Sequence, residues 1–395
     1  MQSGLEVLLA DVSALRGQRV GLVCNHTAID RHLDHALPRL RGLGVNVVRV
    51  FGPEHGVDST AQDMIAVHEG ETAPKPSVVS LYGDSAASLR PRAEHLDDLD
   101  VVLFDIQDIG ARYYTYQATL GYLMETVAGM ENGPRVVVLD RPNPIDGVSV
   151  EGNLVRPGYE SFVSAYPLAV RHGLTLGELG TYFHRVLGIA CPVEVIRMRG
   201  WRRDMWYDET TLPWVYPSPN MPTLETAAIY PGMCLIEGTN LSEGRGTTRP
   251  FHLVGAPWLD RTRFTRLCRQ GALDAGLDGV GFREATFEPR FQKFGGQVCH
   301  GTEIFVHGRH ALDAFLLGLV VLEAGLRASD RFAWRTETYE FVDTPIAIDL
   351  LCGSADVRLG LEARVRPREL MEGWQAELDA WREVRDSVLL YREGI

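Results

Sequence analysis

The sequence predicts an α/β protein: a Rossmann-like, largely parallel sheet, then a second, smaller α+β domain. Three observations predict it. Short apolar runs alternate with segments of helical periodicity through the first half of the chain. Four of these runs end in dense polar clusters: Asn25-His26, Glu54-His55, residues 105–112 and residues 140–143. Beyond residue 251 the pattern changes to strand-like and long helix-like segments. The 395 residues suffice for two domains. The expected division is 1–250 for the sheet domain and 251–395 for a smaller domain closing a cleft.

Taken in order, residues 19–24 (RVGLVC) read as a buried strand. Residues 30–43 follow with Leu33, Ala36, Leu37 and Leu40 at helical spacing. Residues 45–50 form a second strand, stopped by Gly52 and Pro53. Glu54 and His55 then stand where the chain turns away. Residues 58–75 are polar and read as a long loop containing His68, Glu69 and Glu71. Residues 78–82, 100–105, 135–139 and 193–198 read as further strands. Residues 119–130 and 176–187 read as helices, the latter with a Thr175–Glu178 capping box. Prolines 213, 217, 219 and 222 hold the middle of the chain extended. Residues 233–236 read as a strand. In the second domain, 258–273, 311–326 and 367–390 read as helices, and 283–287 and 298–306 as strands.

Composition excludes several functions. Net charge is −13, from 39 basic and 52 acidic side chains, which argues against nucleic acid and anionic membranes as partners. No run approaches the length of a membrane span. Residues 1–15 show no signal peptide, so the chain reads as cytoplasmic, with export open if the sequence is a processed form. The six cysteines form no CxxC pair and read as buried thiols. No GxGxxG follows the first strand, and neither a P-loop nor GxSxG is present. No cofactor is expected.

In an open parallel sheet, ligands bind outside the carboxyl ends of the strands, so the four polar clusters converge on one crevice. Carboxylate chemistry on a carbohydrate fits their residue types. Glycoside cleavage needs a carboxylic acid to protonate the leaving oxygen, and usually a second carboxylate or the substrate's own acetamido group. Glu54, Glu237 and Glu243 are the candidates. Asn25, Gln107, Asn143, Asn220, Asn240 and Thr247 supply groups that bind hydroxyls. Tyr114 offers a stacking face, and His26, His55 and Asp108 are placed to orient substrate. Arg112, Arg141 and Arg245 offer forked donors for a substrate carboxylate. A non-catalytic sugar-binding protein and a metal-assisted hydrolase using His26, His55, Asp105 and Asp108 remain open on residue types alone, although no compact metal motif is present.

Six separated motifs carry a resemblance. They are GLVCNHTAIDR at 21–31, FGPEHG at 51–56, FDIQDIGARYYTY at 104–116, VVLDRPNPIDG at 137–147, LPWVYPSPNMPT at 212–223 and YPGMCLIEGTNLSEGRGTTRPF at 230–251. Together they resemble the exo-β-N-acetylmuramidase family, and weaker similarity continues through FQKFGGQVCHG at 291–301. The resemblance implies release of N-acetylmuramic acid from the non-reducing end of peptidoglycan fragments, in cell-wall turnover. It implies MurNAc-containing saccharides or muropeptides as partners, and a Rossmann-like domain joined to a smaller C-terminal domain across the active-site cleft. It makes Glu54 the catalytic glutamate and gives Arg112 or Arg245 a lactyl carboxylate to bind. The chain departs from the family pattern at Cys24 and at Val57-Asp58-Ser59.

Overall fold

A computed structural model describes residues 1–58 and 76–392. The expected loop with His68, Glu69 and Glu71 lies outside the described residues. The chain opens with helix α1 (Gly4–Ala10), closed by a Ser3–Glu6 capping box. It then alternates: β1 (Val20–Cys24), α2 (Ala36–Gly42), β2 (Val47–Gly52), β3 (Ser77–Ser80), β4 (Val101–Asp105), α3 (Tyr116–Ala128), β5 (Arg135–Leu139), α4 (Leu176–Arg185) and β6 (Val193–Ile196). The six strands run parallel in the order β3-β2-β1-β4-β5-β6. This is the doubly wound order, with its switch point between β1 and β4.

The strand sequences explain their places. VGLVC, VVLF and VVVL are unbroken apolar runs because β1, β4 and β5 are covered on both faces. Leu5, Leu8 and Leu40 from α1 and α2 cover one face. Leu120 and Leu123 of α3 and Leu179 and Phe183 of α4 belong to the core on the other. Helix α4 starts at the expected capping box, with Thr175 accepting from Glu178 N–H.

The second half comprises α5 (Leu224–Met233), β7 (Leu253–Ala256), α6 (Arg261–Ala275), β8 (Val280–Phe287), β9 (Cys299–Val306), α7 (Ala314–Ala328), α8 (Ala347–Cys352), α9 (Asp356–Glu362), α10 (Pro367–Glu372) and α11 (Gln375–Ser387). Its sheet is antiparallel, in the order β7-β9-β8. Helix α7 is apolar nearly all round because α5 and α6 both pack on it. The α5–α7 crossing is a backbone contact. A Cβ on Gly232 would lie 1.7 Å from the Ala314 carbonyl oxygen, and one on Gly318 would lie 2.3 Å from that of Gly232. One continuous apolar core runs from Phe104 and Leu120 of the first domain to Phe264 and Leu319 of the second. Among the described residues, no helix is long and apolar enough to cross a membrane.

Three expectations change. Residues 233–236 are the end of α5 and the start of a 3₁₀ turn, Cys234–Gly238, and not a strand; a four-residue apolar run has no period to separate the two. The helix expected from residue 30 begins at Ala36, because the Asp30 carboxylate captures the backbone N–H groups of His32 and Asp34. The last helix divides into α10 and α11 around Gly373 and Trp374, although Trp374, Leu378 and Trp381 stay on the buried side.

Candidate active site

The site is built on the turn that follows β2. Gly52 ends the strand where a Cβ would meet Val57 at 2.9 Å. Gly56 N–H then donates to the Pro53 carbonyl at 2.9 Å, closing a tight turn with Glu54 and His55 at its centre. His55 takes a left-handed backbone, φ 70°, which a residue with a Cβ adopts at a cost of order 1 kcal/mol. Glu54 is thereby aimed inward and is only 6% exposed. Thr115, at the N-cap of α3, makes no capping bond; its hydroxyl donates instead to Glu54 Oε2 at 2.5 Å.

Around Glu54 lies a narrow crevice of about 30 Å³. The first domain contributes Glu54, His55, Tyr114 and Thr115, the extended segment after it Ser218 and Asn220, and the second half Tyr230, Glu237, Arg245 and Glu340. Burial pushes the hydroxyls of Tyr114, Tyr116 and Tyr230 up, so these phenols stay neutral.

Glu237 sits on the Cys234–Gly238 turn. Its Oε1 lies 3.0 Å from Arg245 Nη1, and its Oε2 accepts the Tyr339 hydroxyl at 2.8 Å. Glu243 is held differently. It lies 3.4 Å from Arg245 and 3.1 Å from Lys293 Nζ. Burial works to raise its pKa, but the Lys293 and Arg245 charges outweigh burial and hold the carboxyl below its ordinary range. Lys293 also donates to the carbonyls of Ile236, Glu237 and Leu241, so it ties down the whole 236–243 loop.

The structure brings Glu54, His55, Tyr114, Asn220, Glu237 and Arg245 together in the crevice. The other sequence candidates lie elsewhere. Asn25 donates to the Tyr116 hydroxyl at 3.0 Å and accepts from Thr27. Tyr116 in turn reaches the Pro217 carbonyl at 2.6 Å, so the β1–β4 switch point is filled by the protein's own side chains. Gln107 donates to the Asp108 and Pro142 carbonyls. Asp108 accepts from Gly110 N–H, and burial pushes its carboxyl up to about 7. Arg112 is fully buried and donates to the carbonyls of Asn153, Leu168 and Leu351, clamping the two halves of the chain. Arg141 is spent on Asp105 and the Ile29 carbonyl. Asn143 holds Leu174 and Ile145, Asn240 holds Arg331 and Ala333, and Thr247 bonds Gly244 and Arg249. His26 packs on Tyr216 with ring centroids 5.0 Å apart. Its burial lowers its basicity. Among the described residues no three His, Cys, Asp or Glu side chains, His26, His55, Asp105 and Asp108 included, are grouped so that they could hold a metal ion.

Sequence reasoning missed Thr115, Tyr339 and Glu340. Tyr339 and Val342 exchange backbone hydrogen bonds around a two-residue turn, with φ 47° at Glu340 and 66° at Phe341. Such turns favour Asn-Gly, and Glu-Phe carries no turn signal. The turn delivers Tyr339 to Glu237 and places the Glu340 carboxylate in the crevice, where it accepts the Tyr82 hydroxyl at 3.0 Å.

A Rossmann-like sheet joined to a second domain, with a crevice lined by carboxylates, tyrosines and an arginine, has the residue types that a glycoside hydrolase uses. The comparisons with known proteins agree. Residues 20–225 match the model of the N-terminal part of the exo-β-N-acetylmuramidase NamZ, and residues 228–391 match that of its C-terminal part. The chain belongs to this exo-β-N-acetylmuramidase family. It is 38% identical to the peptidoglycan β-N-acetylmuramidase NamZ of Bacillus subtilis (strain 168), over 99% of this chain and 91% of that protein. Two crystal structures of DUF1343 family proteins from Bacteroides fragilis share the fold. One has a TM-score of 0.84 at 31% identity and covers 99% of both chains. The other has a TM-score of 0.72 at 27% identity and covers 100% of this chain and 99% of its own.

Proposed function

We propose that this enzyme releases N-acetylmuramic acid from the non-reducing end of peptidoglycan fragments, with Glu54 as the general acid. The observation that carries the assignment is the Glu54 turn. A buried carboxyl lines the crevice, one of its oxygens fixed by Thr115.

Glu237 is the second carboxylate. Tyr339 and Arg245 fix it in the wall of the same crevice, where its charge supports the positive anomeric carbon of the transition state. Glu243 is locked between Lys293 and Arg245 and acts by holding Arg245 in place. Of the three arginines considered, Arg245 lines the crevice, so it is the one placed for the lactyl carboxylate. His55, Tyr114 and Asn220 supply the remaining polar contacts to the sugar. The free space beside Glu54 is water-sized, so a bound sugar parts the crevice walls.

Incubating the purified protein with the disaccharide MurNAc-GlcNAc, with and without a chelator, tests the reading. Free N-acetylmuramic acid is expected in both samples by mass spectrometry. A folded protein that binds the disaccharide without releasing the sugar would leave a binding protein and not an enzyme; activity lost with chelator and restored by metal would replace the carboxylate mechanism.

A further inference from the structure

A second cavity, of about 500 Å³, adjoins the crevice. The two share Glu237 and Arg245 as walls, and the same two chain segments, 237–245 and 333–340, run along both. Glu237 and Arg245 therefore stand where the crevice and this cavity adjoin. We propose that this cavity binds the saccharide on the leaving side of the scissile bond, as an uncharged amino-sugar unit; the assignment rests on the muramidase reading above.

Three features of the cavity support this ligand class. Its volume falls in the range of sites that enclose a small ligand. Its described lining balances in charge: Glu237, Glu243 and Glu337 face Arg245, Lys293 and Arg335. Lys293 is already paired with Glu243, so it offers no surplus charge to an anionic peptide. The third feature is Trp334. Its indole N–H donates to Glu362 at 2.8 Å and its ring packs edge-on against Phe332, centroids 5.2 Å apart. The half-buried ring is thus held on the cavity wall, where it supplies aromatic surface for the C–H groups of a pyranose. Gln292, also in the lining, adds an exposed amide for hydroxyl or acetamido groups. An exo-acting enzyme holds one terminal sugar and must leave the rest of the glycan outside. The outer cavity supplies that place.

The test compares wild type, Trp334→Ala and Gln292→Gly on MurNAc-GlcNAc and on the methyl β-glycoside of MurNAc, which has no leaving-side sugar. Glycine suits position 292 because its φ is 63°. For the disaccharide, kcat/KM is expected to fall about tenfold in each variant, mainly through KM, with less than about a twofold change on the methyl glycoside. Equal losses on both substrates, or no loss on the disaccharide, would overturn the assignment. Wild type inert on both substrates would instead overturn the muramidase reading, and this site with it.

Discussion

Glu54 reaches the crevice because the backbone around it has little choice. Gly52 admits Val57 against the strand end, His55 accepts a left-handed conformation, and Thr115 gives up its capping role to bond the carboxylate. This residue was legible in the sequence: a glutamate directly after an apolar strand in a parallel sheet points to the ligand-binding edge. Arg112, Arg141, Asn25 and Gln107 were read by the same rule and serve as scaffold, because a strand-end cluster must also satisfy its own buried backbone groups. Glu340 was illegible, since it is nearly 300 residues from Glu54 in the chain. Its strained turn is the kind of conformation that functional sites retain. Glu340→Gln is expected to lower kcat/KM on MurNAc-GlcNAc by about tenfold or more, as for loss of a charged hydrogen bond, with an unchanged melting temperature. Wild-type kinetics in that variant would remove Glu340 from the site.

At the scale of elements, the parallel sheet was the most legible part. Continuous Val and Leu runs have no other comfortable place than between two helical layers. The α5 helix was missed because Pro231 and Gly232 fall within it, both of which argue against a helix interior. The structure explains the glycine: α5 and α7 touch through Gly232 and Gly318. The Cys234–Gly238 turn that carries Glu237 begins two residues beyond Gly232, so this crossing fixes where Glu237 stands. Gly318→Val is expected to destabilise the protein by about 3 kcal/mol or more, read as a lower urea midpoint. A midpoint equal to wild type would mean that the helices separate freely and that the crossing does not set the crevice wall.

At the scale of the molecule, the first domain carries Glu54, the proposed general acid, and the second half carries Glu237, Arg245 and Glu340. Arg112 fastens the two by reaching from the sheet domain to the Leu351 carbonyl. Beneath the site, buried Asp108 keeps its proton up to about 7, against an ordinary aspartate value of 3.8. The folded state therefore holds a proton that the unfolded chain has released, and this group's contribution to stability falls as pH rises through that window. His172, 4.0 Å away, is driven down to about 3 by its burial and contributes the opposite slope over its own range, from about 3 up to 6.5. Asp108→Asn removes the first term only, so its melting temperature relative to wild type is expected to rise from about pH 4 to about pH 7. A constant difference across that range would show that Asp108 ionises normally. The central claim is that the two halves meet around one acid. Glu54→Gln is its most direct test, measured as kcat on MurNAc-GlcNAc alongside a thermal melt. The account predicts a loss of about 10²–10⁴-fold in a protein that melts like wild type. Turnover near the wild-type rate would contradict it.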